Sequence, residues 1–128
     1  MKTHYDALHL HGIIEQIPQA VTLASLLHTR VFRTALGEYR VHRIDPSFFD
    51  GFGWYKETGS FLIADSEKAL IDCLYLSARR GKQFGHFPEL HFPRSFSFKK
   101  ARGWVGRISD LRIRVHVGKR VDALLRRT

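Results

Sequence analysis

Cysteine is almost absent from this 128-residue sequence, in which Cys73 is the single example. One cysteine cannot form an intrachain disulfide or supply a thiolate metal cluster within one chain. Cys73 lies among apolar residues of a segment with helical periodicity, so we interpret it as an inert thiol in the core. The fold must therefore be held together without covalent crosslinks.

Long apolar runs are also missing from the sequence. No stretch approaches the roughly 18 consecutive apolar residues that a membrane-spanning helix needs, and residues 1–10 do not have the pattern of a signal peptide. We therefore expect a cytoplasmic protein. The sequence has 128 residues and an apolar fraction of 44%. This is the length of one domain, so we expect residues 1–128 to fold as a single domain that buries about 65% of the surface exposed in the unfolded chain.

The motifs of common enzyme classes are not found. The Gly-Phe-Gly run at residues 51–53 lacks the third glycine of a dinucleotide fingerprint and the Lys-Ser/Thr of a phosphate loop, and no serine or cysteine triad motif occurs. His9 and His11 lie two residues apart on a predicted helix, which points them to different faces, so with His4 they form a poor ligand set. We therefore predict no enzyme, no catalytic residue, no cofactor and no bound metal.

A metal-dependent nuclease is the alternative enzyme, because phosphodiester cleavage needs carboxylates beside a basic surface. The acid-x-Lys step on a strand is missing, since Glu67 and Lys68 are adjacent and lie on a predicted helix. Each carboxylate also has a structural interpretation as a turn former, a helix cap or an ion-pair partner. The available carboxylates are Asp45, Asp50, Asp65, Glu67 and Asp72.

Acidic residues are scarce at the C-terminal end. Residues 1–93 contain ten basic and ten acidic residues, whereas residues 94–128 contain eleven basic and two acidic ones, so the formal net charge of +9 lies entirely in the last 35 residues. A single-sign excess over so short a stretch repels itself unless something anionic offsets it. The asymmetry predicts an anionic partner, either nucleic acid or an acidic protein surface. The alternative is a solvated basic tail.

The best-defined segment of the chain is FLIADSEKALIDCLYLSARRGK, residues 61–82. Phe61–Ala64 is a short buried-strand candidate that leads directly into about four turns of helix. We expect the carboxylate of Asp65 to cap the first turn and Glu67 to favour the positive end of the helix dipole. Gly81 should end the helix. Strand, cap, helix and stop agree with one another.

The body of this helix has an apolar stripe. Leu70, Leu74 and Ala78 recur at helical spacing. Lys68 and Asp72 form an i,i+4 pair on another face. The pattern therefore predicts a helix that packs on one side.

Elements before this segment are predicted from periodicity and turn signals. Tyr5–Ile14 is a short helix, Gln19–Leu27 is a strand, and Val31–Leu36 with Tyr39–Ile44 is a hairpin. The aromatic and glycine residues of 48–55 are typical of a core cap, which we favour over stacking platforms for single-stranded nucleic acid.

The C-terminal third is less well defined. Ser97 should cap a helix over Phe98–Ile108. From Asp110 onward, apolar residues alternate with arginine as in a strand and also recur as in a helix, so we assign a helix only to Lys119–Arg127. The sequence therefore predicts an α+β fold, with a small mixed or antiparallel sheet packed against a central helix and with basic C-terminal helices.

The run FLIADSEKALIDCLY also resembles the Ile-Ala-Thr-Pro-Glu-Lys-Ala-Leu-Leu-Asp signature of the AbiEi-like antitoxins of bacterial type IV, abortive-infection toxin–antitoxin systems. Asp65 and Ser66 stand in place of Thr and Pro. The motif positions to which we assign a structural role are Asp65, Glu67, Lys68, Leu70 and Asp72.

Three earlier segments are similar to the same family in the same order. Residues 4–18 are similar to its Ser-Ala-Leu-x-Leu-His-Gly-Leu helix, residues 21–25 to the following strand, and residues 41–52 to its His-x-Ile-x-x-x-x-Phe-x-Gly-Phe segment. The resemblance thus covers about residues 4–82, and the C-terminal third matches only in type, as helices rich in arginine and lysine.

The resemblance implies an antitoxin. Members of the family repress their own operon through an N-terminal winged-helix module, and they counter a nucleotidyltransferase-like toxin with the help of the C-terminal domain. This sequence matches the second module from its fourth residue and shows no counterpart of the winged helix, so operator binding is not carried over. The chain is then a stand-alone antitoxin-like domain, a piece of a longer gene product, or a relative with another use.

Our first hypothesis is a non-enzymatic antitoxin-like domain, associated with transcriptional regulation, whose basic C-terminal surface contacts nucleic acid or counters the toxin. Contacts to nucleic acid would be made through phosphates and without base reading. The nuclease and a purely structural interaction domain are the alternatives. The residues predicted to bind are Arg102, Arg107, Arg112, Arg114, Lys119, Arg120, Arg126 and Arg127.

Overall fold

The computed structural model describes residues 3–14, 20–26, 29–34, 37–54, 62–79 and 90–127. Its elements, in chain order, are α1 (His4–Leu10), β1 (Ala20–Ser25), β2 (Arg30–Thr34), β3 (Gly37–Arg43), a 3-10 turn (Pro46–Phe48), β4 (Phe52–Trp54), β5 (Leu62–Ala64), α2 (Ser66–Arg79), α3 (Phe98–Val105) and α4 (Leu111–Arg127). The predicted helix stop at Gly81 and the end of the aromatic run at Tyr55 lie outside the described residues.

The strands form two small sheets. The predicted hairpin forms, since β2 pairs with β3 in antiparallel orientation and Val31 lies opposite Arg40. Its second strand begins at Gly37, before the expected Tyr39, because Gly37 pairs with Thr34. β1 pairs with the other edge of β3 in parallel orientation, so the three-stranded sheet is mixed, with the order β1-β3-β2. β4 and β5 form a separate antiparallel pair. The predicted α+β class with a small sheet and helices is therefore confirmed.

Helix α2 is the centre of the fold, and the prediction that it packs on one side is wrong. It contacts α1, α3, α4 and β5. Every side chain from Glu67 to Leu74 is buried, including the thiol of Cys73 and the charged side chains of Lys68 and Asp72. The periodicity misled because these two charges pair with each other at i,i+4, so they occupy an enclosed face that would otherwise be given to solvent.

The start of α2 is held by contacts that differ from the expected cap. The carbonyl of Asp65 accepts the first helical hydrogen bond from the Ala69 amide at 2.7 Å. Its carboxylate accepts from Lys100 Nζ at 3.0 Å and, within the described part of the chain, from no backbone amide. Glu67 accepts the Ser97 backbone N–H at 3.1 Å. The two acids at the start of α2 therefore position the start of α3.

Helix α3 begins as predicted and ends earlier. The hydroxyl of Ser97 accepts the Lys100 amide at 3.0 Å, which confirms the cap. The helix ends at Val105, before the expected Ile108, and Gly106 lies directly after it. Glycine has low helix propensity, which accounts for the early end.

Helix α4 resolves the ambiguity after Asp110, and the strand interpretation of this segment is wrong. The carboxylate of Asp110 accepts the backbone N–H of Arg112 at 2.9 Å and that of Ile113 at 3.2 Å. This is N-cap geometry, which satisfies amides that have no partner within the helix. Val117 and Val121 face the core. The helical recurrence of apolar residues therefore prevails over the alternation.

The aromatic run after β3 contributes to the core, as the sequence indicates. Phe48 is 1% exposed, and its ring centroid lies 5.2 Å from that of Tyr75. Phe49 and Phe52 form a second pair with centroids 5.2 Å apart. These rings lie in and beside the core, so they are not available as stacking platforms for bases.

Candidate binding surface on the C-terminal helix

The buried side of α4 determines which of its basic residues face solvent. Val117 and Val121 turn inward, and the seven-residue spacing of Arg112, Lys119 and Arg126 keeps these three on one side of the helix, with a drift of about 20° per seven residues. All three are exposed, as is Arg127 at the end of α4. We call Arg112, Lys119, Arg126 and Arg127 the outer face of α4.

The charges of the outer face are not offset inside the molecule. None of its four cationic groups makes an ion pair or hydrogen bond with a residue in the part of the chain that the structure describes. Successive members of the stripe stand about 10 Å apart along the helix axis. This is close to the Debye length of about 8 Å at physiological ionic strength, so their fields overlap only in part. The outer face is thus a row of separate cationic positions.

Arg102 is placed beside this surface and is paired. Its guanidinium donates to the carboxylate of Asp122 at 3.2 Å, and the two side chains are 53% and 52% exposed. The pair joins α3 to α4. Exposed pairs contribute little to stability, typically below about 1 kcal/mol.

Arg107 is used inside the molecule, away from the outer face. Its guanidinium carbon lies 4.8 Å from the centroid of Trp104. It donates to the Ser47 carbonyl at 2.8 Å and to the Asp50 carboxylate at 3.3 Å. The Gly51 amide and, next, Arg107 hold the pKa of Asp50 below its ordinary value. Arg107 therefore fastens the turn after β3 to the end of α3.

The remaining two predicted residues also turn inward. Arg114 is half-buried, and its Nη1 lies 3.5 Å from the Ile108 carbonyl, at the start of α4. Arg120 is half-buried and interacts within the molecule. The structure therefore brings four of the eight predicted residues together on one face and assigns the other four to contacts within the fold.

Sequence reasoning missed two residues of this surface. Leu111 and Val115, one helical turn apart on α4, are 61% and 49% exposed. They lie beside Arg112 on the helix surface. The seven-residue repeat of Arg112, Lys119 and Arg126 could have revealed them. It identifies the solvent-facing side of the helix, and Leu111 and Val115 are next to that repeat on the helix surface.

Among the five residues given a structural role in segment 65–72, Glu67, Lys68, Leu70 and Asp72 are buried and Asp65 is partly exposed. The ammonium group of Lys68 binds the Asp72 carboxylate, whose other oxygen accepts the Thr3 hydroxyl. The same ammonium lies 3.8 Å from the centroid of Phe48. Burial lowers the pKa of Lys68 and raises the pKa of Asp72, and the attraction between them opposes both shifts. These two motif residues therefore lie in the core, where they join segments that are distant in the chain.

The carboxylates do not assemble a metal site in the described part of the chain. No group of three or more His, Cys, Asp or Glu side chains there is placed to hold one metal ion. Asp72, which the nuclease alternative requires, is fully buried in its ion pair, and Asp65 is bound to Lys100.

Comparison of the chain with protein families, with curated proteins and with solved structures gives no match. Among the described residues, no helix has the length and apolar content needed to cross a membrane.

Proposed function

We propose that this chain is a cytoplasmic, non-enzymatic antitoxin-like domain of a bacterial type IV toxin–antitoxin system, associated with transcriptional regulation and abortive infection. It acts through the outer face of α4, which contacts an anionic partner. The observation that carries the proposal is that the cations of Arg112, Lys119, Arg126 and Arg127 have no ion-pair or hydrogen-bond partner among the described residues. The sequence resemblance over residues 4–82 supplies the biological setting.

The separation of roles among the basic residues supports this proposal. The fold uses Arg102 and Arg107 for contacts with acids from other elements. Within the described part of the chain, the outer face has no such contacts, although self-repulsion of like charges favours an anionic neighbour. Long flexible cations on a helix surface suit phosphates or carboxylates, and the contacts that they make to phosphates carry no base-specific information. The anionic partner is therefore DNA, RNA or the acidic surface of a nucleotidyltransferase-like toxin.

The proposal is tested with the triple variant Arg112→Glu, Lys119→Glu, Arg126→Glu. Growth rescue is measured in cells that express a nucleotidyltransferase-like toxin encoded beside this gene. Binding to a DNA duplex, an RNA strand and the purified toxin is measured at two salt concentrations. We expect lost rescue, weaker binding and a flatter salt dependence, by roughly 0.9 in the logarithmic slope for each phosphate contact removed from duplex DNA.

The matched control reverses cations outside the outer face, at Arg94 and Lys99, which are also exposed. This variant should keep rescue and binding. Unchanged rescue and unchanged affinity for every probe in the triple variant would remove the proposal, because the outer face would then have no anionic partner.

A further inference from the structure

The outer face of α4 has an apolar edge. Leu111 and Val115 are 61% and 49% exposed, and their i,i+4 spacing puts their side chains side by side. Arg112 and Lys119 border them along the helix. Single exposed aliphatic residues are ordinary on protein surfaces, but an adjoining pair rimmed by charge marks a contact site.

This combination favours a protein over a nucleic acid. Phosphate backbones attract cations but gain nothing from Leu111 or Val115. Base stacking needs aromatic rings, and in α4 the half-buried imidazole of His116 is the single one. The exposed aliphatic side chains beside the cations therefore favour a protein partner, which can supply both apolar and acidic side chains.

The spacing of the cations also fits a second helix. Arg112, Lys119 and Arg126 repeat every seven residues, which is the repeat that a second helix packed alongside α4 would present. Carboxylates at seven-residue intervals on such a helix would meet all three cations in one register. Three phosphate steps along one strand of a duplex, at about 3.4 Å of axis each, span a similar distance, so it is the exposed aliphatic pair that favours the helix.

We infer that the partner of the outer face is an acidic amphipathic helix of another protein. Its apolar side chains pack on Leu111 and Val115, and its carboxylates pair with Arg112, Lys119 and Arg126. The inference rests on the proposed function and names the class of its anionic partner. A second copy of this chain is disfavoured as the occupant, because two outer faces would repel each other.

The probe is a synthetic helical peptide of about three heptads. It carries Glu at seven-residue spacing beside a Leu seam, and its control replaces each Glu with Gln. Binding is measured by fluorescence anisotropy at low and physiological salt, with a DNA duplex and an RNA strand of similar length as competing probes. The wild-type chain should bind the Glu peptide and release it as the salt concentration rises. It should bind the Gln peptide at least about tenfold more weakly.

Two pairs of matched variants separate the apolar and cationic contributions. Leu111→Ser with Val115→Ser should weaken Glu-peptide binding about tenfold and leave its salt dependence unchanged. The control pair is Leu26→Ser with Val31→Ser. Leu26 and Val31 are 47% and 57% exposed, and they lie directly after β1 and in β2. That pair should have no effect.

For the cations, Arg112→Gln with Lys119→Gln should weaken binding and flatten its salt dependence. The equal loss of charge in Arg94→Gln with Lys99→Gln should not. All eight positions changed in these four double variants are exposed. Circular dichroism of each variant checks that it is folded.

The outcomes distinguish the two proposals. Failure of the wild type to bind the peptide, or peptide binding that is indifferent to Leu111→Ser with Val115→Ser, overturns the acidic-helix inference. If the oligonucleotides bind instead and the cation variants abolish that binding, the inference falls and the proposed function stands. If the cation variants change the binding of no probe, the proposed function falls as well.

Discussion

Lys68 and Asp72 form an ion pair in which neither side chain is exposed to solvent, at the centre of the most enclosed helix of the described fold. The pair reaches two further elements. Thr3, at the start of α1, donates its hydroxyl to Asp72, and its backbone N–H donates to the Thr22 carbonyl of β1 at 3.1 Å. One pair of charges therefore connects α1, β1 and α2.

Replacing Lys68 with Met should destabilise the fold by about 3–5 kcal/mol, because it leaves a buried carboxylate without its counter-charge. The measurement is urea unfolding at neutral pH, and Lys99→Met, at an exposed position of α3, is the matched control with a change within about 0.5 kcal/mol. Lys68→Met combined with Asp72→Asn should be more stable than Lys68→Met alone, since Asn removes the charge and keeps an acceptor for Thr3. A loss below about 1 kcal/mol in Lys68→Met would contradict the burial of the pair.

The stability loss in Lys68→Met should depend on pH. Burial already raises the pKa of Asp72 above its ordinary value of 3.8, and Lys68 opposes that rise. Without Lys68 the pKa of Asp72 rises further. An acid whose pKa is raised in the folded state contributes stability that is complete below its unfolded pKa and is lost as the pH rises through the folded one. The difference in unfolding free energy between wild type and variant should therefore grow from the ordinary pKa of Asp72, 3.8, toward neutral pH. A constant difference over this range would show that Asp72 does not titrate there.

Gly51→Ala should be one of the more damaging single substitutions. Gly51 has φ +77°, and a Cβ there would lie 2.6 Å from Trp104 Cζ2 and 2.9 Å from Lys68 Cγ. Left-handed backbone costs about 1–2 kcal/mol outside glycine, and overpacking adds about 1–3 kcal/mol. Gly12 provides the control, since it has the same φ and a Cβ there would meet no atom of a packed neighbour within 4 Å. Gly12→Ala should show only the backbone cost in thermal unfolding, and equal effects at the two sites would contradict the close packing around Gly51.

Arg107→Ala should lower stability by about 1–2 kcal/mol, because it removes the stacking on Trp104 and two hydrogen bonds to the turn after β3. Arg112→Ala removes an equal charge from the outer face and should change stability by less than about 0.5 kcal/mol. Chemical denaturation of both variants tests whether Arg107 stabilises the fold through its contacts and Arg112 does not. Equal stability of the two variants would show that this division is wrong.

Asp110→Ala should cost about 1 kcal/mol, because the carboxylate caps two amides of the first turn of α4. Asp122→Ala is the matched control, since it removes an acid of the same helix whose pair with Arg102 is exposed. Its effect should stay below about 1 kcal/mol. For Asp110→Ala, circular dichroism should show helix loss beginning at a lower temperature than in the wild type. A larger loss of unfolding free energy in Asp122→Ala than in Asp110→Ala would contradict the capping role.

Local patterns predicted the elements well where the determining contacts are local. The hairpin and the cap at Ser97 depend on residues within a few positions of one another. The strand interpretation of α4 was wrong because alternation and helical recurrence overlap there, and the cap at Asp110 decides between them.

The order of amino acids alone is enough to specify the α+β class, the pairing of Lys68 with Asp72 and the concentration of positive charge in the last 35 residues. The enclosure of this pair, and which arginines have partners among the described residues, follow from tertiary packing. Arg107 meets Asp50 across 57 residues of chain, and Arg102 meets Asp122 across 20. Net charge is a sum over residues, but pairing and burial depend on which distant segments pack together, and that information is absent from any local pattern.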